Sequence, residues 1–274
     1  MQTQTRVVAA LGSAQTLAWG SSYYLPAILA NPMAAELRLS TAWVFVAFSC
    51  GLLISAVLGP MSGRLIDAYG GRRVLPASNA IFALGLALLG CATDAAWLFG
   101  SWFVLGVAMS CGLYESAFAT LARIYGQDAR RGITGITLIA GFASTIAWPL
   151  TAWMEASFGW RVACFTWAAA HVIICAPLNL LLPTGERIVG TATGVAASVT
   201  EQGKTWIMVA LAFVFTATWF GSTAMAAHLP RLLQEARASL PAAIAAAPLV
   251  RPVQVARPLV EFGVLGRKDP QTSA

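Results

Sequence analysis

The sequence predicts an all-α, polytopic membrane protein: a six-helix N-terminal bundle followed by the start of a second bundle. Three observations carry this. The 274 residues are 58% hydrophobic and only 10% charged, whereas a soluble domain carries about 25% charged residues. The mean hydropathy is +0.72. The apolar residues also fall in runs of about 20, the length that crosses ~30 Å of hydrocarbon as a helix, and the basic residues collect in the short segments between them.

Seven spans follow in order, at about 7–30, 41–58, 74–91, 95–119, 133–153, 162–182 and 206–229. The first holds Gln15 and two tyrosines and ends in no small-x-small cleavage site, so it reads as a span and not as a signal peptide. Between the second and third lies the most charged short segment of the chain, 63–73. It is expected to be a tight connection at one membrane face, with Gly70 and Gly71 letting the backbone turn. Residues 1–183 form the expected six-helix bundle. Residues 184–205, rich in Gly, Thr and Ser, form the expected linker, and 206–274 the incomplete second bundle. There the stretch 239–266 has the length of an eighth span but contains four prolines, Arg251, Arg257 and Glu261. An arginine at mid-span costs about 2.5–3.5 kcal/mol, and proline removes helix hydrogen bonds, so this span reads as degenerate.

Orientation follows from the basic residues. With the N-terminus in the cytoplasm, that side holds Arg6, Arg64, Arg72, Arg73, Arg123, Arg130, Arg131, Arg187 and Lys204, against Arg38 and Arg161 opposite. The bias predicts an inner-membrane protein with its N-terminus inside. It also accounts for the net charge of +6 without nucleic acid. The five cysteines lie in or beside apolar runs with no Cys-x-x-Cys, and read as small packing residues. No metal or other cofactor is expected.

Ionisable residues within spans are expensive, and mark function by default. Glu115 is the one acid well inside any of the seven. A desolvated carboxylate favours its protonated form, and an acid that gains and loses a proton is what proton coupling needs. The structural alternative is a hydrogen bond to a neighbouring helix. Gln15, Trp19 and Ser22 recur at helical spacing in the first span, as do Thr137, Ser144, Trp148 and Thr151 in the fifth, with Gly141 on the same face. Such stripes line a cavity or bond another helix. Tyr23 and Tyr24 either cap a cavity or, the favoured reading, sit in the interfacial aromatic belt, while His171 is assigned to a bonded core position and Arg123 to the headgroups. Gly59 and Gly63, four apart, are expected to pack closely against another helix.

The 63–73 segment resembles the signature between the second and third helices of the major facilitator superfamily. Gly63, Leu65, Asp67, Gly70, Arg72, Arg73 and Leu75 carry the resemblance, while Ala68 and Gly71 depart from it. Gly159-Trp160-Arg161 is similar to the step that enters the family's sixth helix. The resemblance implies a twelve-helix secondary transporter working by alternating access, with helices one, two, four and five lining the path of a small solute. It implies that the 63–73 segment stabilises one conformation, with Asp67 engaging the far half. Against twelve helices this chain reads as truncated. It is then either a transporter, acting through assembly with itself or another chain, or a non-transporting, partner-binding remnant. No His-Glu-x-x-His and no phosphate-binding Gly-x-x-x-x-Gly-Lys loop occurs, so neither a metalloenzyme nor an ATP-driven pump is expected.

Overall fold

The computed structural model describes residues 2–183 and part of 206–233. The expected linker and degenerate eighth span lie outside the described residues, which are helical throughout apart from short turns. In chain order the helices are α1 (Gln2–Gly20), α2 (Leu25–Glu36), α3 (Thr41–Tyr69), α4 (Gly71–Gly90), α5 (Ala95–Gly112), α6 (Tyr114–Tyr125), α7 (Ala129–Ala140), α8 (Ala143–Phe158), α9 (Trp160–Ala170) and α10 (Ala176–Leu180). Among the described residues four helical runs are long and apolar enough to cross a membrane: Thr41–Tyr69, Gly71–Gly90, Ala95–Phe158 and Trp160–Leu180. The third has 64 residues. At 1.5 Å per residue it would rise about 96 Å, so it must fold back, and it does so at the single turn Gly126–Asp128 between α6 and α7. A further apolar helix covers Met208–Thr218. The chain is an integral membrane helical protein.

Four expected spans are interrupted, each beside a helix-breaking residue or at a glycine. The first breaks at Ser21–Tyr24, because Pro26 has no N–H to give and its ring crowds the preceding turn. Local bonds replace the lost ladder: Ser22 donates its hydroxyl to Ala18 O at 2.6 Å, and Tyr24 N bonds Trp19 O at 3.2 Å. The fourth breaks at Leu113, whose φ of −93° and ψ of −166° are extended. The fifth breaks at Gly141–Phe142. The sixth widens into a π-helical turn at His171–Cys175, just ahead of Pro177.

The 63–73 segment corrects the expectation of a loop. Residues 63–69 are the last turns of α3, and the reversal rests on Gly70 alone, at φ +79°. This is a left-handed region that glycine enters without a Cβ clash. Arg123, expected at the headgroups, reaches across from α6 and donates to the carbonyl oxygens of Ile66 and Asp67. It thereby adds a second donor to Ile66 O, which already accepts from Gly70 N at 2.8 Å, and supplies one to Asp67 O in the last turn of α3. Gly59 and Gly63 do not pack as expected, since a Cβ at either would meet nothing within 4 Å. The close helix crossing lies further along α3. There a Cβ at Gly106 of α5 would come within 2.5 Å of Gly51 O, so small residues let the two backbones touch. Around that crossing Phe48, Phe82, Trp102 and Leu105 form the buried core.

At the opposite end from Gly70, Glu36 ties three elements together. It accepts from Trp160 Nε1 at 2.5 Å and from Arg161 Nε at 2.9 Å. Arg161 also donates to Gly90 O at 2.8 Å, and its guanidinium lies 4.3 Å from the Trp160 ring centroid.

Candidate functional site

The breaks in the first and fourth spans face each other. α1 brings Trp19 to the end of its last turn, and the Ser21–Tyr24 break carries Tyr23. The Leu113 break starts α6 with Tyr114 and Glu115. The ring centroids of Trp19 and Tyr23 are 4.4 Å apart, and those of Trp19 and Tyr114 are 4.8 Å apart. The fourth-span break leaves carbonyls without helical partners, and side chains take them. Gln15 Nε2 donates to Gly112 O at 2.8 Å, and Ser116 Oγ donates to Ser110 O at 3.4 Å. Such re-satisfaction is what permits a broken helix in hydrocarbon.

A cavity of about 640 Å³ opens at this junction. Trp19, Tyr23, Leu113 and Glu115 line one side, Ser55, Ala56 and Gly59 of α3 another, and Thr216 and Phe220 a third. Glu115 is the one charged side chain among the described lining residues. It is exposed and accepts no hydrogen bond among the described residues. It also occupies the first turn of α6. The sequence places Glu115 mid-helix and desolvated. The structure corrects the first point, because the break at Leu113 turns a helix interior into a helix start at a cavity wall.

The other candidate residues separate cleanly. Trp19 lines the cavity with Glu115, and Gln15 lies buried behind it on the Gly112 carbonyl. Ser22 is spent on Ala18 O. Thr151 is buried and accepts from Trp167 Nε1 at 3.1 Å, joining α8 to α9. Trp148 packs edge-on to Tyr24 at 5.6 Å, and Ser144 is buried. Thr137 is exposed, with its hydroxyl on Ile133 O at 2.9 Å. The fifth-span stripe is thus split by the break at Gly141–Phe142, and none of its four residues lines this cavity. The two tyrosines are not in an interfacial belt: Tyr23 lines the cavity and Tyr24 is buried between Trp19 and Trp148. Of the 63–73 residues, Asp67, Arg72 and Arg73 are exposed, Gly63, Leu65 and Gly70 partly so, and none approaches the cavity.

His171 is the bonded core residue expected. Its Nδ1 lies 2.9 Å from Asn79 Oδ1 and its Nε2 lies 2.8 Å from Ser21 Oγ. Its ring stacks on Phe82 at 4.6 Å and 14°. Asn79 Nδ2 donates to Leu75 O at 2.9 Å, which fixes the amide and turns Oδ1 toward the imidazole. The network therefore assigns the proton to Nδ1, with Ser21 donating to Nε2.

Two facing helix breaks around a cavity, among helices long enough to cross a bilayer, resemble the discontinuous helices at which secondary transporters hold their substrates. The chain belongs to the Major Facilitator Superfamily, whose family model matches residues 11–261. It is 32% identical over 153 residues to the mouse solute carrier family 2, facilitated glucose transporter member 10, covering 52% of this chain and 26% of the relative. The human counterpart is 32% identical over 146 residues, covering 49% and 25%. The chain thus matches about a quarter of the length of these relatives.

Proposed function

We propose that this protein is a secondary active transporter that moves a small solute across the cytoplasmic membrane by alternating access, coupled to protons through Glu115. The observation that carries the proposal is the exposed, unbonded carboxylate of Glu115 at a helix break, facing a cavity of about 640 Å³. A group so placed can take up a proton without breaking an internal bond. Its environment changes whenever the cavity opens to the other side, which is the condition for coupling. Trp19 contributes the apolar wall and Gln15 holds the break in shape. The basic excess at the Gly70 end supports an N-terminus in the cytoplasm. In this reading residues 1–183 are the first bundle, 184–205 a linker and 206–274 the start of the second bundle, from which Thr216 and Phe220 close the cavity. Asp67, Arg72 and Arg73, at the Gly70 end, bias one conformation. The names of the relatives make a sugar the first solute to offer.

The test is proton flux in proteoliposomes, read with an entrapped pH dye while solutes are added outside. Solute-dependent flux is expected for the wild type and its loss for Glu115→Gln. Equal flux in both proteins across the pH range removes Glu115 from the mechanism. Absence of proton flux with every solute overturns proton coupling, and uptake of radiolabelled solute in the same vesicles then decides whether the chain transports.

A further inference from the structure

We infer that the solute is an organic cation with an apolar or aromatic body, its charge held by Glu115 and its body by Trp19, Tyr23 and Phe220. The inference deepens the transport reading and rests on it. Four features of the cavity point this way. The first is charge: the described lining holds one carboxylate and no basic group. Among the described lining residues an anion finds no cationic partner and one like charge, whereas a cation finds its counterion.

The second is the wall. Trp19 and Tyr23 lie 4.4 Å apart with 34° between their planes, and Phe220 stands among the lining residues. The faces of such rings carry negative potential and attract cations, as in the cages that recognise quaternary ammonium groups. The third is rigidity. Tyr23 packs edge-on to Phe48 at 5.8 Å, Trp19 packs on Tyr114 at 4.8 Å, and Tyr114 stacks on Phe118 at 5.2 Å. The wall is therefore set before a ligand arrives, which lowers the cost of binding.

The fourth is a shortage of neutral hydrogen-bonding groups. Ser110 already donates to Val107 O at 2.8 Å. Ser55 and Thr216 supply the remaining aliphatic hydroxyls among the described lining residues, and Tyr23 and Trp19 add a phenol hydroxyl and an indole N–H. A sugar offers a donor and an acceptor at every hydroxyl, more than these groups can pair. An apolar cation asks for one counterion and an apolar surround, and the cavity has both. Besides Glu115, the titratable group that faces this carboxylate is Tyr23. α3 presents Leu52, Ser55, Ala56 and Gly59, and α5 presents Ser110.

The test is equilibrium dialysis of the purified full chain in detergent with radiolabelled tetraphenylphosphonium, using tetraphenylborate, of the same shape and opposite charge, and D-glucose as competitors. Saturable binding is expected, with affinity falling about tenfold or more in Glu115→Gln and severalfold in Trp19→Leu, and largely retained in Glu115→Asp. Tetraphenylborate should not compete. Unchanged affinity in Glu115→Gln overturns the inference, as does displacement by the borate equal to that by unlabelled cation. The second comparison uses only the wild type, so it holds even where a variant misfolds. Counterflow in proteoliposomes separates the two readings. Exchange of D-glucose without exchange of the cation overturns the cation and leaves transport standing. Charge-selective binding with no exchange of any solute overturns transport and leaves the cation assignment standing.

Discussion

His171 and Glu115 are both ionisable side chains set at irregularities in otherwise helical spans, yet they are built on opposite terms. His171 is fully buried, and both ring nitrogens have partners, on α4 and in the Ser21–Tyr24 break. Its π-helical turn is closed in by aromatic stacking. Glu115 stands at a helix start, exposed to a cavity, with no hydrogen bond among the described residues. Both positions are expensive by composition. Only the partners tell a joint from a site: a side chain with all its bonds made holds helices together, whereas one aimed at open volume is available to something that arrives.

The largest expected effect tests this distinction directly. Replacing His171 with Leu strands the Asn79 carbonyl oxygen in a dry interior and leaves the Ser21 hydroxyl only Ala18 O, at 3.3 Å, and should cost roughly 2–4 kcal/mol of stability. Glu115→Gln should cost less than about 0.5 kcal/mol. Thermal unfolding in the same detergent compares the two. If Glu115→Gln proves as damaging as His171→Leu, the carboxylate is structural and the distinction collapses.

Next come the glycines of the 63–73 segment, which the structure divides. A Cβ on Gly71 would collide with the Thr120 hydroxyl of α6, so Gly71→Ala should cost about 1–3 kcal/mol. A Cβ on Gly63 meets nothing, and the residue lies inside α3. Gly63→Ala should therefore stabilise by about 0.5–1 kcal/mol through helix propensity. Opposite signs from two glycines of one segment would show that packing acts at Gly71, while Gly63 is free for another conformation or another partner. A smaller effect is expected for Arg123→Gln, which gives up the guanidinium bonds to Ile66 O and Asp67 O. About 1–2 kcal/mol should be lost, and amide exchange should quicken at the end of α3.

Much of the fold was legible because the bilayer imposes one period and one length. Apolar runs of about 20 residues and arginines between them locate the spans before any contact is known. Glu115 was legible on the same ground, since a charge inside a run is conspicuous. The breaks were harder to read. Pro26 and Pro177 announce theirs, whereas Leu113 carries no local signal: Gly112 permits the break, and Gln15, 97 residues away, accepts its consequence. Without the breaks the polar stripes look continuous. With them, Trp19 reaches the cavity, Thr151 and Trp148 turn to neighbouring helices, and Tyr23 moves from an expected belt to the site. The Glu36 cluster was invisible for a related reason. Gly159-Trp160-Arg161 could be noticed, but its acid lies on a helix more than a hundred residues earlier.

That cluster supplies the smallest predicted effect, and the contrast with Glu115 gives it meaning. The Arg161 guanidinium and the Trp160 indole both donate to Glu36 and hold its carboxyl below the ordinary glutamate value of 4.5. A carboxyl whose pKa is lower in the folded protein than in the unfolded chain binds fewer protons when folded. Its contribution is therefore present above about 4.5 and lost as pH falls through the depressed value. Glu36 is half exposed, so solvent screens the pair and the effect on unfolding temperature should be slight. A melting series between pH 3 and 7 should show a wild-type decline on the acid side that is shallower in Glu36→Gln. Solute-dependent flux should be the same in both proteins, since Glu36 stands at a joint and not in the cavity. Parallel melting curves would mean that the clasp contributes nothing to the stability of the folded bundle. A change in flux with unchanged stability would place Glu36 beside Glu115, among the residues that respond to the passage of solute.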